Sequence, residues 1–315
     1  MKAYQIISIV FFSLIILSFI FFIWQFLPVS IKANTQNFVV PLNFSYQDIV
    51  SKLKNNGYIR SDWAFNFAIK EINSDKAIQP GGYFISKKMS TFKIAEILTF
   101  QRAQVWITIP EGKRKEEIVQ ILKEALVWQE NDYNSFISTA REGYLFPETY
   151  LIDLNLTPAE LINLLENQFN KEFNEIVKNY SGQITKEEIV ILASLIEREA
   201  KNKEEMPQIA NVFLNRLNRG MKLDIDATLQ YIFGTPQNWW PKVLPEQKNI
   251  NSPYNTYLYK GLPPGPICNP GSDAIRAVIS PQQNDFFYYF HAPDGTLYLS
   301  KTYQEHLYKI NKYLK

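Results

Sequence analysis

One cysteine, Cys268, is too few for an intramolecular disulfide framework, and two histidines, His291 and His306, are too few for a zinc site of the usual kind. Metal chemistry and cysteine–histidine catalysis are therefore poor candidates, and neither a metal nor a cofactor is expected. Charge of one sign is also missing. The 33 basic and 31 acidic residues leave a formal net charge of +2, and no block of like charge stands out. The electrostatic footprint of a nucleic-acid partner is absent. What the chain does have is length: 315 residues allow a sizeable core and, by size, two domains.

A second absence is local. No charged residue lies between Lys2 and Lys32, and Ile6 to Leu27 is almost wholly apolar. That run exceeds the ~20 residues needed to span a bilayer core. A cleaved leader would instead carry an apolar region of about 7–15 residues and then a small-x-small site. No such site follows, and Trp24 near the outer end suits an interfacial anchor. The expectation is a short cytoplasmic N-terminus (residues 1–5), a membrane helix (6–27) and an extracytoplasmic body.

The body opens on a pattern that recurs. "FVVPLNFSYQDIVSKL" (38–53) and "WITIPEGKRKEEIVQIL" (106–122) each read as a short β run, a proline and a helix. Between them "GGYFISKKMSTFKIAEIL" (81–98) is a strand-like run feeding an amphipathic helix, with Ser90 or Thr91 as cap. Residues 38 to about 122 therefore read as small α+β units sharing one sheet, or as generic αβ packing without a repeat. Helical content rises beyond residue 130. In 157–180, Leu161, Leu164, Leu165, Phe169 and Phe173 recur at helical spacing behind Thr157 and Pro158. Thr185 and Glu188 form a capping box ahead of the next helix, and 206–220 begins near a proline and stops at glycine. Loops dominate from there to 271. "DFFYYFHAPDGTLYLS" reads as a hairpin turning at Asp294 and Gly295, and a helix from about Thr302 closes the chain.

The helix behind Thr185 carries the most informative residue. Ile189 to Ile196 has only Ser194 as a polar member, and Glu197 follows directly. At 3.6 residues per turn Glu197 shares a face with Val190, Ala193, Ser194 and Ala200, small enough for a ligand to approach. Burial would raise its pKa toward that of a general acid. The alternative is a structural ion pair with Arg198, Lys201 or Arg216 at the end of a core helix. The helix alone leaves both open. Glu199 lies roughly opposite, where a stability role is expected.

Five blocks in order decide the reading. "EGYLFPETY" (142–150), "ILASLIEREA" (191–200), "IANVFLNRL" with "GMKLDIDATLQY" (209–231), "SPYNTYLYKGLPPGPICNPG" (252–271) and "YYFHAPDGTLYLSKTYQEHL" (288–307) resemble the YceG-like, or MltG, family of endolytic murein transglycosylases. "TIPEGKRKEEI" (108–118) is similar to the family's boundary between LysM-like and catalytic parts. The resemblance covers roughly residues 38 to 312. It implies a mixed α+β chain: a single N-terminal transmembrane helix, small LysM-like α+β units over 28–105, and a YceG-like catalytic domain over 106–315. Two departures, "PLNFSYQDI" without a glycine-containing turn and an unusually basic "IPEGKRKEEI", bear on glycan binding by the LysM-like part.

The implied activity is that of a lytic transglycosylase, a carbon–oxygen lyase acting on polysaccharides. It would cut MurNAc–GlcNAc bonds inside nascent glycan strands, leave 1,6-anhydro-MurNAc ends and terminate strand elongation. Glu197 matches the family's catalytic glutamate. One carboxyl can protonate the leaving oxygen and then take the proton of the C6 hydroxyl, and no other block supplies an obvious paired carboxylate. Asn255, Thr256 and Tyr257 are candidates for sugar binding, as are Tyr144, Glu148 and Asp226. Asp226 has the alternative role of a helix cap, and Trp239 and Trp240 could stack on sugars or pack a core. His291 reads as structural. The expected setting is the bacterial cytoplasmic membrane, with peptidoglycan strands as substrate and peptidoglycan synthases as candidate partners. Two other readings stand beside it: a membrane-anchored lysozyme-like hydrolase, and a non-enzymatic peptidoglycan-binding scaffold.

Overall fold

A computed structural model describes residues 2–72 and 77–314. Residues 1, 73–76 and 315, which fall within the expected N-terminal, LysM-like and catalytic stretches, lie outside it. The chain forms two compact units. The first runs to Ile107 and takes in Tyr150–Asn155; the second holds Thr108–Thr149 and everything from Leu156. The fold is mixed α+β.

The first unit begins with helix α1 (Lys2–Trp24), apolar from Tyr4 to Trp24 and not buried by anything in the chain. It is long and apolar enough to cross a membrane. It ends three residues before the expected Leu27, because Gln25 and Phe26 turn into the unit's interior. Then follow β1 (Gln36–Val40), α2 (Tyr46–Asn55), α3 (Asp62–Glu71), β2 (Gly81–Ile85), α4 (Thr91–Phe100) and β3 (Gln104–Thr108). The sheet takes the order β1-β2-β3-β4, where β4 is Thr149–Asp153. β1 and β2 run antiparallel with Phe38 opposite Tyr83, so β1-α2-α3-β2 is a βααβ unit. Helix starts follow local chemistry: Ser45 Oγ accepts from Asp48 N in α2, and Ser90 Oγ from Lys93 N in α4. Phe38, Val40, Leu53, Ile85, Ile94 and Leu98 close the core between sheet and helices.

In the second unit, α5 (Lys115–Ala125), α6 (Glu130–Thr139) and α7 (Pro158–Ile176) precede α8 (Lys186–Glu199), α9 (Met206–Asn218) and α10 (Asp226–Phe233). After a long irregular stretch come α11 (Ser272–Ile279), the hairpin β5 (Tyr288–His291) and β6 (Leu297–Ser300), and α12 (Tyr303–Tyr313). The capping boxes Thr157/Glu160 and Thr185/Glu188 start α7 and α8. Leu161, Leu165, Phe169 and Phe173 are buried as their spacing predicts, but Leu164 is 39% exposed. The buried stripe of α7 takes in Ile162 instead. α8 is the axis of this core, with Ile189 through Ile196 buried, α9, α10 and α11 packed against it, and Phe169, Phe173 and Ile176 of α7 in the same cluster.

Candidate active site

Glu197 and Glu199 stand on the last turn of α8. Two residues at 100° each turn them roughly 200° apart, so they meet different surroundings. What fills each side decides their roles.

The Glu197 side is taken up by the chain itself. Ala193 and Ser194 do let something approach closely, but it is the segment 266–271. Ile267 N–H donates to Ser194 Oγ (3.1 Å), Cys268 Sγ to Ser194 O (3.3 Å) and Gly271 N–H to Glu197 Oε2 (3.0 Å). The small-residue face expected to admit a ligand is therefore covered. Burial pushes the Glu197 carboxyl up to about 7; the Gly271 N–H opposes this and the nearby Glu111 adds to it. The expected ion pair is not formed among the described residues either. Arg198 stacks on Trp240 at 3.8 Å, and Arg216 pairs with Asp224 at 3.2 Å.

The Glu199 side faces a cavity. Glu199 lines a polar cavity of about 570 Å³ together with Arg216, Asp224, Asp226, Lys248, Tyr257, the β5 residues Tyr288 to His291, Tyr303 and His306. Tyr289 Oη donates to Glu199 Oε2 (2.7 Å). Burial raises the Glu199 pKa above the ordinary carboxylate range. The Tyr289 hydroxyl opposes this, and the charge of Asp226 reinforces it. Asp226 sits in the first turn of α10 and accepts from Tyr257 Oη (2.5 Å), with Lys248 Nζ 3.8 Å away. It does not cap the helix, whose N-cap is Ile225. Burial and the bond to Asp226 hold the Tyr257 phenol protonated well beyond neutral pH. Asp224 is the one described non-glycine residue with positive φ, 51°, a conformation aspartate tolerates better than most. The cavity thus holds a carboxyl biased toward its neutral form, a carboxylate tethered by a phenol, a third carboxyl, Asp224, paired with Arg216, and several aromatic walls.

Of the sequence-predicted residues, the structure brings Asp226 and Tyr257 to this cavity and not the others. Asn255 and Thr256 are fully buried supports. Asn255 donates to Lys248 O and Ile250 O and accepts from Tyr257 N. Thr256 Oγ1 accepts from Ile225 N and bonds Thr228 Oγ1. They have no spare groups for sugar, but they fix the residues on either side, Tyr257 and Asp226. Tyr144 is buried against Phe169, with the Arg141 guanidinium 3.9 Å from its ring. Glu148 is exposed and accepts from Gln168. Trp240 donates to Glu117 and Trp239 to Gln120, so both are packing residues here. His291 Nε2 lies 2.9 Å from Glu205 Oε2 at the cavity wall. Sequence reasoning missed Glu199, Tyr289 and Lys248. The one available signal was the tyrosine-rich "FFYYFH", whose polar tips had no assigned partner.

Behind the site, Asn269 ties three loops. Its Oδ1 accepts from Leu145 N (2.9 Å), and its Nδ2 donates to Lys113 O (2.9 Å) and Glu142 Oε1 (2.8 Å). Burial, reinforced by Glu116, pushes Glu142 up to about 8.

A family model described as the YceG-like family matches residues 38–312. The chain is similar, at 31% identity over 314 aligned residues, to the endolytic murein transglycosylase of Bacillus subtilis (strain 168), covering 89% of this chain and 85% of that protein. It is 29% identical to the endolytic murein transglycosylase of Streptococcus pneumoniae serotype 2 (strain D39), across 88% of this chain but 58% of the relative's length. The crystal structure of a yceG-like protein from Listeria monocytogenes superposes with a TM-score of 0.56 at 25% identity, covering 88% of this chain and all of that one.

Proposed function

The chain belongs to the YceG-like family, and from that premise we propose that it is an endolytic murein transglycosylase whose general acid is Glu199. It cuts MurNAc–GlcNAc bonds within nascent peptidoglycan strands and leaves 1,6-anhydro-MurNAc ends, terminating strand elongation. The observation that carries the choice of acid is the cavity: Glu199 lines it with Asp226, Tyr257 and Lys248, while Glu197 accepts a backbone hydrogen bond under the 266–271 segment.

The chemistry follows from the surroundings. A carboxyl biased toward its neutral form by burial can donate its proton to the departing glycosidic oxygen. Left as carboxylate, it then takes the proton of the C6 hydroxyl as that oxygen closes on C1. Tyr289, bonded to Oε2, fixes the orientation of the carboxyl. Asp226 supplies negative charge beside the positive character that develops at C1, and its own position is fixed by Tyr257.

We also read α1, apolar from Tyr4 to Trp24, as a single-pass anchor in the bacterial cytoplasmic membrane, with the N-terminus inside and the body outside. Residues 28–105 are then the LysM-like region and 106–315 the catalytic domain, with peptidoglycan synthases as candidate neighbours. Support comes from α1, whose length and composition suit a membrane.

Parallel assays of Glu199→Gln and Glu197→Gln on purified glycan strands test the acid. Glu199→Gln should lose at least about 10²-fold in cleavage, the usual worth of a general acid, while folding is retained. Glu197→Gln keeps an acceptor for Gly271 N–H and should stay within severalfold of the parent. A folded, inactive Glu197→Gln beside an active Glu199→Gln would return the role to Glu197.

A further inference from the structure

The end of α1 is built into the first unit. A helix leaves its last carbonyls unpaired, and at a membrane surface water would ordinarily take them. Here protein groups do. Arg60 Nε donates to Trp24 O (3.1 Å) and Arg60 Nη2 to Pro28 O (2.8 Å), with the guanidinium 4.2 Å from the Trp24 ring. Thr91, at the start of α4, donates its hydroxyl to Gln25 O (3.3 Å) and its N–H to Phe26 O (3.0 Å). Phe26 is buried among aromatic rings: Phe92 at 5.1 Å, Trp63 at 5.5 Å and Phe67 at 5.6 Å between centroids. Phe22, a turn earlier in α1, stacks on Trp63 at 5.3 Å. A cut after α1 would remove Phe22 from Trp63 and Trp24 from Arg60.

The same rings are not fully enclosed. Trp63 is 43%, Phe67 40% and Phe92 36% exposed. Trp63 and Phe67 are one turn apart on α3, and Phe92 opens α4, so they form one face continuous with the surface of α1. α1 is exposed along its whole apolar length, and 23 residues at 1.5 Å each reach about 34 Å, a hydrocarbon thickness. Rings packed on its last turn must then sit where the helix leaves the hydrocarbon. That is the level at which aromatic side chains are favoured, with apolar faces in lipid and polar edges outward.

We propose that the first unit rests on the bilayer through this Trp63–Phe67–Phe92 face, so that α1 and the unit form one lipid-seated body rather than a domain on a tether. The occupant of the face is the lipid interface itself. This rests on the reading of α1 as a membrane anchor.

The test uses the full chain in phosphatidylethanolamine/phosphatidylglycerol vesicles. Cysteines introduced singly as Phe67→Cys, Phe92→Cys, Ile16→Cys and Val127→Cys carry a nitroxide, and the parent chain, whose Cys268 is buried, serves as the labelling blank. Accessibility to oxygen is compared with that to a water-soluble nickel chelate. Position 16 should read deep in the hydrocarbon and position 127, 92% exposed in the second unit, should read as water. Positions 67 and 92 should favour oxygen severalfold over the 127 value. If 16 reads deep while 67 and 92 match 127, the lipid seat is wrong and the anchor stands. If 16 also reads as water, the anchor reading itself fails and takes the seat with it. Quenching by brominated lipid gives a readout without loss of an aromatic ring: Trp63→Phe should lower the quenched fraction of tryptophan emission, and an unchanged fraction counts against the seat.

Discussion

Two glutamates separated by one arginine differ in their surroundings because of residues some 70 to 90 positions away. Gly271 reaches Glu197, and Tyr289 reaches Glu199. The account predicts opposite pH effects at Glu199. The Tyr289 bond favours its charged form and the charge of Asp226 disfavours it. Tyr289→Phe should therefore move the alkaline limb of the kcat/KM profile to higher pH, and Asp226→Asn should move it to lower pH. Limbs that do not move, or that move together, would remove Glu199 from the acid role. Glu142 allows a stability test. Its folded pKa of about 8 lies above the ordinary glutamate value, so the folded state holds a proton that the unfolded state releases. Stability is full at and below the unfolded pKa and falls as pH rises toward 8, by about 1.4 kcal/mol per pH unit for each such group. Glu142→Gln should flatten that slope in denaturant titrations at several pH values; an unchanged slope would show that Glu142 is already ionised at neutral pH.

Among the elements, the segment 266–271 has the largest effect for its length, since it closes one face of α8 and leaves the other to the cavity. Asn269 holds it, fully buried and bonded to Lys113, Leu145 and Glu142. Asn269→Ala strands the buried Leu145 N–H and removes one of two hydrogen bonds at each of Lys113 O and Glu142 Oε1, so a loss of about 1–3 kcal/mol is expected in chemical unfolding. A loss below about 1 kcal/mol would mean the loops hold one another without it. Elements of this kind mark the limit of what sequence alone can tell. Thr157, Thr185, Ser90 and Thr302 announce their helices because a cap needs only residues within one turn. The hairpin at Asp294 and Gly295 is legible for the same reason. The cavity is not, because it depends on pairings such as Tyr257 with Asp226 across 31 positions. Asn255 and Thr256 have sugar-binding chemistry, yet the fold uses it internally, and only their contacts reveal that. Small residues beside Glu197 correctly signalled a close approach, but local spacing does not say by what.

For the molecule as a whole, the claim is that an anchored chain cuts glycan by ring closure. Asp224 and Asp226 share the cavity with Glu199, contrary to the expectation of a single carboxylate, and a second carboxylate is what a hydrolase would use to activate water. Here Asp226 has its oxygen taken by Tyr257, with Lys248 close by, and Asp224 is paired with Arg216, which suits fixed charges better than a base. The C6 hydroxyl of the sugar needs no such help, since a well-oriented intramolecular nucleophile reaches effective molarities of about 10⁵–10⁸ M. Digestion of peptidoglycan strands by the full chain in ¹⁸O-labelled water, followed by mass analysis of the new MurNAc ends, tests this most directly. The account predicts unlabelled anhydro ends, each lighter than a hydrolysed end by one water; labelled reducing ends as the main product would contradict it and make the chain a hydrolase.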